Sequence, residues 1–275
     1  VNDLDETERL FDFMKDRFEL REALSIEYKE DLRSKSDAQI AEAVICKELY
    51  RLTNKWPKLP IFEAGTSFQY NIPNYITYQT SILQKMLEEV RNAKFIVNGF
   101  GGVDLPKELN VNIPINKNIY RMGIGGLHSY EKNVAYKSTD TVSIIDRDIA
   151  SFYPRIILNQ RLYPESMGEA FLQVYEGIVE RRLVAKKTGN KTADKGLKVT
   201  INGTFGKTGS MWSKMYSPPM FIQITITGQL TMLMLIEAVE GIGIQVVSAN
   251  TDGIVMLCPQ HLEQPLADLI KQWEQ

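Results

Sequence analysis

A predicted hairpin near the end of the chain constrains the fold more than any other feature. Two apolar runs rich in β-branched residues meet at NTDG (250–253), within VVSANTDGIVML (246–257). Alternating apolar residues on both sides of a short Asn/Asp/Gly segment predict two antiparallel strands joined by a tight turn. Such a hairpin is ordinary by itself. Asp252 at its tip becomes a candidate metal ligand only if a second carboxylate lies beside it.

A second acidic strand end occurs earlier in the chain. The apolar run TVSIID (141–146) leads into Asp146-Arg147-Asp148, whose two carboxylates project from one face at the strand's period of two. If this strand lies next to the hairpin, one of them can meet Asp252. Carboxylates on neighbouring strands can hold two divalent cations about 3.5–4 Å apart, the arrangement used for phosphoryl transfer. An ordinary hairpin remains the alternative until that pairing is established.

The order of predicted elements indicates an α+β fold. Helical patterns cover 3–50, with a break at 28–36, then 80–93, 169–187, a helix ending near Phe205, and 225–239. Short β-prone runs alternate with Gly and Asn over 95–136, residues 54–80 and 188–194 are predicted to be irregular, and Asp37 is a candidate N-cap. We therefore expect an antiparallel sheet backed by helices on one face, with a helical hairpin inserted and a mainly helical N-terminal region.

Length and composition bound the cellular setting. The 275 residues, 44% of them hydrophobic, suffice for one large or two smaller domains. Cys46 and Cys258 follow no metal-ligand spacing, which favours a reducing compartment. The N-terminus lacks a signal-peptide pattern, and no uninterrupted apolar stretch is long enough to span a bilayer. We expect a cytoplasmic protein without a membrane partner, and the opening within a helix suggests a segment of a longer chain.

A formal net charge of −2 hides a strongly basic segment. Between positions 181 and 214 the sequence contains one acidic residue, Asp194, and nine basic residues: Arg181, Arg182, Lys186, Lys187, Lys191, Lys195, Lys198, Lys207 and Lys214. Spacing of four places Lys198 with Asn202, and Arg182 with Lys186, on shared helix faces. Two such faces could grip a triphosphate. A solvated helical hairpin with a lysine-rich face explains the charge equally well.

Three further features are compatible with a nucleotide or nucleic acid. After Asp148, Pro154 can open a helix whose first N–H groups, from 150 to 153, could cradle phosphate oxygens, with Tyr153 beneath a nucleotide sugar. Aromatic packing is the alternative for Phe152 and Tyr153. The glycines of MGIGGLHS (122–129) permit a tight turn or a close approach to a ligand, and Gly203 and Gly206 would leave a helix surface over which a base pair could slide.

Three ordered motifs resemble those of the family B DNA polymerases. DIASFYPRII (148–157) resembles the first motif, D-x-x-S-L-Y-P-S-I-I; KVTINGTFG (198–206) resembles the second, K-x-x-x-N-S-x-Y-G; NTDG (250–253) resembles the third, D-T-D-S. MGIGGLHS is loosely similar to the template-contacting Y-x-G-G segment. The resemblance covers roughly residues 120–260 and is closest to phage-type members.

The resemblance implies a DNA-directed DNA polymerase core that uses two Mg²⁺ ions, primer-template DNA and deoxynucleoside triphosphates in viral, phage-like replication. It implies that Asp148 and Asp252, with the carbonyl of Ile149, bind the metal ions. It implies nucleotide contacts from Ser151, Phe152, Tyr153, Arg182, Lys186, Lys198 and Asn202, with Tyr153 as the gate that excludes ribonucleotides. The implied DNA contacts are Gly125, Gly126, Phe205, Gly206 and Lys207.

The same resemblance divides the chain into segments. Residues 1–120 would be an exonuclease tail and connector, 121–166 and 213–275 the two parts of the palm, and 167–212 the fingers hairpin, with no thumb. Localisation would be the cytoplasm of the host cell.

Three positions depart from the motifs: Gly203 replaces serine, Phe205 replaces tyrosine, and Asn250 replaces the first aspartate of the third motif. An amide is a poor ligand for a hard cation. A catalytically inactive, DNA-binding polymerase-like subunit is therefore the alternative, with a reverse transcriptase or another palm-domain polymerase as a weaker one.

Overall fold

The computed structural model describes residues 3–131 and 133–274, which form eight α-helices and eight β-strands. The helices are α1 (Asp3–Tyr28), α2 (Asp37–Thr53), α3 (Ser81–Asn92), α4 (Phe152–Asn159), α5 (Ala170–Lys187), α6 (Lys191–Thr208), α7 (Pro218–Gly241) and α8 (Glu263–Trp273). The strands are β1 (Ser67–Gln69), β2 (Lys94–Ile96), β3 (Ile113–Ile115), β4 (Asn118–Met122), β5 (Leu127–Ser129), β6 (Val142–Asp148), β7 (Gln245–Asn250) and β8 (Gly253–Pro259).

Six strands form one antiparallel sheet in the order β3-β4-β5-β7-β8-β6, and β1 pairs with β2 separately. The predicted α+β class is confirmed. Burial alternates along β8, as expected for a strand with one face against the core. β6 is an edge strand, and its exposed end carries Asp146, Arg147 and Asp148, charged residues of the kind that protect sheet edges from further pairing.

The chain divides into two compact units, Val1–Ile61 with Gln160–Ser217, and Phe62–Asn159 with Pro218–Gln275. The first unit is helical: α2 packs against α5 and α6, and α1 contacts α6. Gly203 lies at the α2–α6 contact, where an added Cβ would be 2.8 Å from the Cβ of Ala41. The prediction of an open helix surface at Gly203 was therefore wrong, whereas Gly206 has no atom within 4 Å of such a Cβ.

Helix ends in the first unit follow capping rules, with two corrections to the predicted boundaries. Ser36, not Asp37, is the N-cap of α2, because Ser36 and Gln39 form a capping box in which each side chain accepts from the other's backbone N–H. Asn190 caps α6 by accepting from the N–H of Ala193, so residues 191–194 are helical and not loop.

The second unit contains the six-stranded sheet and the long apolar helix α7. This helix begins at Pro218 and not near Thr225, since a proline in the first turn loses no helical hydrogen bond. It contacts β5 and β7 and packs against α4 and α8. Side-chain hydroxyls of the Pro-, Asn- and Tyr-rich segment tie it to α7: Tyr70 bonds Thr227 at 2.9 Å, and Tyr78 donates to the carbonyl of Leu230 at 2.8 Å.

Among the described residues, α7 alone has the length and apolar composition of a membrane-crossing helix. The sequence predicts no such stretch because Thr225, Gln229 and Glu237 interrupt the apolar run. Most of the helix is buried inside the protein, as is usual for a core helix.

Candidate active site

The structure confirms the predicted pairing of the acidic strand with the hairpin. β6 lies antiparallel to β8 with Asp148 opposite Gly253, and the N–H of Ile149 donates to the carbonyl of Asp252 at 2.8 Å. A Cβ built on Gly253 would lie 3.3 Å from Oδ1 of Asp148, which places that carboxylate at the hairpin tip. Two acidic residues far apart in sequence thus lie at neighbouring strand ends.

The hairpin tip is tight and strained. β7 ends at Asn250 and β8 begins at Gly253, and between them the N–H of Asp252 donates to the carbonyl of Asn250 at 2.7 Å. Thr251, in the middle of this three-residue turn, has φ +56°, which is unfavourable for a β-branched residue. Its N–H donates to the carbonyl of Leu127 at 2.8 Å, so the neighbouring strand helps to hold the strained turn. Strain of this kind is concentrated at functional sites.

The electrostatics of the tip favour a cation. Burial, and after it the negative charge of Asp148, raises the pKa of the Asp252 carboxyl above its ordinary value. A bound cation would relieve that repulsion, and carboxylate oxygens are the ligands that Mg²⁺ prefers, so Asp148 and Asp252 fit the ion that the motifs imply. Within residues 3–131 and 133–274 no three His, Cys, Asp or Glu side chains cluster as a metal site. The remaining ligands would have to be backbone carbonyls, water or substrate oxygens.

Two further polar side chains, Asp146 and Asn250, lie near the hairpin tip. Asp146 is exposed on the same strand, opposite Val255 on β8. Asn250 is exposed, and its side-chain oxygen accepts a hydrogen bond from the hydroxyl of Thr251 at 3.1 Å. The amide that replaces an aspartate of the motif therefore supports the strained turn.

Tyr153, on α4, lies beside this tip. Its hydroxyl donates to the carbonyl of Gly125 at 2.7 Å, and its ring approaches α7 so closely that a Cβ on Gly228 would be 2.9 Å from Cε1. Burial, and then the negative charge of Asp252, raises the pKa of Tyr153 to about 12, so the hydroxyl stays protonated as a donor at neutral pH. Phe152 is buried and stacks on Tyr153 with ring centroids 5.8 Å apart, which fits the packing alternative for that residue.

The connection between β6 and α4 has its own strained residue. Ser151 has φ +55° and is exposed, and its carbonyl accepts from the N–H of Arg155 at 3.0 Å. Pro154 stands in the first turn of α4, as predicted.

The glycine-rich segment before β5 approaches the same tip. A Cβ on Gly126 would be 2.7 Å from the hydroxyl oxygen of Thr251, whereas one on Gly125 would meet nothing within 4 Å. Gln229, buried in α7, accepts from the N–H of Gly123 and donates to its carbonyl, both at 2.9 Å. Gly126 is thus a point where the backbone lies close to another part of the chain, and a close approach of these glycines to a ligand stays a prediction.

Sequence reasoning missed three residues of this site: Thr251, Gly228 and Gln229. Only Gly228 had a detectable signal, because a glycine inside a long apolar helix costs about 1 kcal/mol relative to alanine and calls for a packing reason. The roles of Thr251 and Gln229 depend on contacts with residues distant in sequence.

The basic residues of the first unit are partly neutralised. Four of the nine form ion pairs: Arg181 with Glu27 and Glu48, Arg182 with Asp194, Lys195 with Asp16, and Lys207 with Glu42. Arg182 and Lys207, predicted to contact nucleotide and DNA, are thus engaged with carboxylates. Lys186, Lys198 and Asn202 are exposed, and neither lysine has an ion-pair partner in the part of the chain that the structure describes. Phe205 is half-buried and Gly206 exposed.

No protein-family model matches the chain, and no curated protein matches it. Among solved structures, it is similar to the family B DNA polymerase from the hyperthermophilic archaeon Pyrobaculum calidifontis, with 13% sequence identity and a TM-score of 0.52. The match covers 96% of this chain and 31% of that polymerase, so the chain spans about a third of that protein's length. At this identity the likeness shows a shared fold.

Proposed function

We propose that this chain is the catalytic core of a DNA-directed DNA polymerase, which adds deoxynucleotides to a primer 3′ hydroxyl under the direction of a template. One observation carries the proposal: β6 and the β7–β8 hairpin bring Asp148 and Asp252 together at neighbouring strand ends, close enough for the charge of Asp148 to raise the pKa of Asp252. Tyr153 and Gly125, hydrogen-bonded to each other, lie beside that pair.

In this proposal Asp148 and Asp252, with the carbonyl of Ile149, would hold two Mg²⁺ ions, whose chemistry would be activation of the attacking hydroxyl and neutralisation of the leaving pyrophosphate. The paired strands fix the carboxylates, and the strained Thr251 turn keeps Asp252 at the tip, so little reorganisation accompanies the reaction.

The remaining contacts concern the nucleotide and the DNA. Tyr153 would stand against the sugar, and its ring, held by Gly125 and Gly228, would exclude a 2′-hydroxyl. Ser151 would contact the nucleotide in the same unit as Tyr153, and Gly125 and Gly126 of that unit would contact DNA. In the first unit, taken by itself, Lys186, Lys198 and Asn202 would bind phosphate oxygens, joined by Arg182 once it exchanges Asp194 for phosphate, because arginine binds phosphate oxygens in bidentate fashion. Phe205, Gly206 and Lys207 of the first unit would contact DNA.

The proposal also assigns the segments and the setting. The sheet around β6, β7 and β8 would be the palm, and α5 with α6 the fingers. The setting would be phage-like DNA replication in the cytoplasm of a host cell. Binding of the chain to primed DNA would be weak and steeply dependent on salt, because phosphate neutralisation releases counterions.

Primer extension tests the proposal. The purified chain, with Mg²⁺, deoxynucleotides and a primed template, is expected to lengthen the primer, and Asp148→Asn and Asp252→Asn are each expected to lower the rate by at least about a hundredfold. Asp146→Asn is the matched control, because it removes an exposed carboxylate from the same strand. Extension by neither the chain nor a longer parent, or equal loss in all three variants, would refute the proposal.

A second candidate is a polymerase-like DNA-binding subunit without catalysis. Asn250, where the motif has aspartate, and the lack of a three-residue acidic or His/Cys cluster among the described residues favour it. For that candidate, primed-template binding would persist in Asp148→Asn and Asp252→Asn while the wild-type chain incorporated nothing. Restoring the motif with Asn250→Asp would then be the sharpest test, since it returns one negative charge to the tip.

A further inference from the structure

We propose that a cationic aromatic surface of the first unit binds single-stranded DNA. This surface, the Trp56 patch, consists of one exposed tryptophan and four lysines: Lys47, Lys55, Trp56, Lys58 and Lys214. The inference rests on the proposed function only in its choice of DNA as the polyanion.

Trp56 is held in place while part of its ring is exposed. The residue follows α2, which ends in a left-handed C-cap at Asn54 with φ +56°. Its indole stacks on the ring of Tyr50 at a centroid distance of 4.9 Å and an interplanar angle of 15°. Even so, 48% of Trp56 is exposed. A ring supported on one side, with surface left in solvent, is suited to stacking against a nucleobase.

Cations surround this ring. The ammonium nitrogens of Lys47 and Lys214 lie 5.7 and 5.4 Å from its centroid, within the range of cation–π attraction. Lys55 and Lys58 flank Trp56 in sequence and are exposed. Two ammonium groups therefore lie over the ring, and two more lysines stand within two positions of Trp56 in the chain.

The nearby carboxylates are committed to other cations. Glu42 pairs with Lys207 and also accepts from the backbone N–H of Lys214 at 2.9 Å, and Glu48 pairs with Arg51 and Arg181. None of the four patch lysines has an ion-pair partner within the described ranges 3–131 and 133–274. The patch therefore keeps its positive charge, which attracts a polyanion.

The combination favours a single strand over other polyanions. An unpaired base offers a face for stacking on an indole, whereas the bases of a duplex are stacked on one another. Lysine side chains are long and flexible, so Lys47 and Lys214 can leave the ring for phosphates when a base takes their place. An acidic peptide would satisfy the lysines but would leave the indole without a stacking partner.

Fluorescence anisotropy of a labelled dT oligomer, titrated with the whole chain in Mg²⁺-free buffer, tests the inference. Trp56→Ala is expected to weaken binding by about tenfold or more, and Trp56→Phe, which keeps a ring, by less. Each of Lys55→Gln and Lys58→Gln should reduce the slope of log affinity against log salt by about 0.7. Lys117→Gln, an exposed lysine of the second unit, is the matched control and should change neither quantity.

Several results would overturn the inference. These are unchanged dT binding by Trp56→Ala, blunt duplex binding as tight as that of dT, displacement of dT by a polyglutamate peptide at equal charge, or tighter binding of an RNA U oligomer. Circular dichroism shows whether Trp56→Ala folds. If it does not, a variant that combines Trp56→Phe, Lys55→Gln and Lys58→Gln replaces it. Wild-type dT affinity and salt slope in that variant would refute DNA binding by the Trp56 patch.

The outcome is separable from that of the proposed function. Asp148→Asn should abolish primer extension and leave dT binding intact. Binding that depends on Trp56 in a chain that never extends a primer would overturn the polymerase proposal alone. Primer extension by a chain whose dT binding does not depend on Trp56 would overturn only the inference about the Trp56 patch.

Discussion

At the scale of single residues, several side chains and glycines of this protein act through one or two close contacts. Thr251 adopts a positive φ that a β-branched residue rarely takes, and it does so where the tip of the β7–β8 hairpin meets Gly126. Gly228 interrupts an apolar helix because the ring of Tyr153 occupies the space of a side chain. Both glycines therefore yield predictions with internal controls.

Gly126→Ala is expected to disturb the hairpin tip. Its Cβ would meet the Thr251 hydroxyl at 2.7 Å and the Thr251 methyl carbon at 3.0 Å, so the strained turn that positions Asp252 must shift. We expect a loss of roughly 1–3 kcal/mol in the free energy of unfolding, typical of overpacking, and a large loss of primer extension. Gly125→Ala, which meets nothing within 4 Å, should change stability little. Equal effects of the two variants in urea unfolding would contradict this reading.

Gly228→Ala is expected to displace Tyr153 and so to weaken discrimination against ribonucleotides. The added Cβ would lie 2.9 Å from Cε1 of Tyr153 and 3.2 Å from Cε1 of Phe152. The ratio of kcat/KM for deoxynucleotides to that for ribonucleotides should fall severalfold or more, since a shift of 1.4 kcal/mol is about tenfold.

Two controls separate positioning of Tyr153 from a general defect. Gly241 ends the same helix, and a Cβ added there would meet nothing within 4 Å. Gly241→Ala should therefore leave the ratio of deoxynucleotide to ribonucleotide kcat/KM unchanged. In a Tyr153→Ala background, Gly228→Ala should have no further effect on the ratio. An additive effect there would show that Gly228 does not act through Tyr153.

At the scale of elements, helix packing in the first unit depends on glycine more than on charge. α2 and α6 meet where Gly203 faces Ala41 and the backbone of Asp37 and Ala38. The basic segment that dominates the sequence of α5 and α6 is, in contrast, partly used for ion pairs such as Arg182 with Asp194. Exposed pairs such as Lys195 with Asp16 contribute about 0–1 kcal/mol each, so the close helix contact is expected to matter more for folding than they do.

Gly203→Ala and Gly206→Ala form a matched pair on α6, with opposite expected effects on the free energy of unfolding. The first would place a Cβ 2.8 Å from Ala41 and 2.9 Å from the carbonyl of Asp37, and should lower the free energy of unfolding by about 1–3 kcal/mol. The second meets nothing within 4 Å and should raise it by up to about 1 kcal/mol, because alanine favours the helix. Chemical denaturation followed by circular dichroism measures both. Stabilisation by Gly203→Ala would show that α2 and α6 do not pack as described.

At the scale of the whole molecule, the two compact units each contain one cysteine. Cys46 lies in the first unit and Cys258 in the second, and both are buried. Burial raises the pKa of Cys46 to about 12 and raises that of Cys258 above its ordinary value. Because only the thiolate reacts, a raised pKa lowers the reactive fraction of the folded thiol at a given pH, and a buried thiol reacts chiefly after its unit opens.

We therefore expect thiol alkylation of the native chain at pH 8 to be slow and limited by opening of each unit. Raising the pH toward 9 should accelerate labelling of the folded protein much less than labelling of the unfolded one, because opening of the units, and not thiolate formation, then limits the rate. Labelling of Cys46→Ala and Cys258→Ala, which leave one thiol each, measures the opening of the two units separately across a denaturant series. Rapid native labelling of either variant would contradict the burial described.

Much of the fold was predictable, because it depends on local pattern. Alternation of apolar residues and the NTDG turn predicted β7 and β8, and the apolar run ending in Asp148 predicted β6. The predicted helix starts were wrong where a single capping side chain sets the boundary. Ser36 caps α2 one residue before the predicted cap, and Asn190 caps α6 inside the segment that was predicted to be a loop.

The candidate site was predictable in its residue types and not in its supporting contacts. Local pattern was enough to predict carboxylates at the end of one strand and at the tip of a hairpin, because strand period and turn chemistry are local properties. The three-dimensional fold was needed to establish that Asp148 lies opposite Gly253, that Tyr153 is held between Gly125 and Gly228, and that Arg182 is paired. These contacts join residues far apart in the chain, and their free energy depends on distance in space, which a linear pattern does not contain.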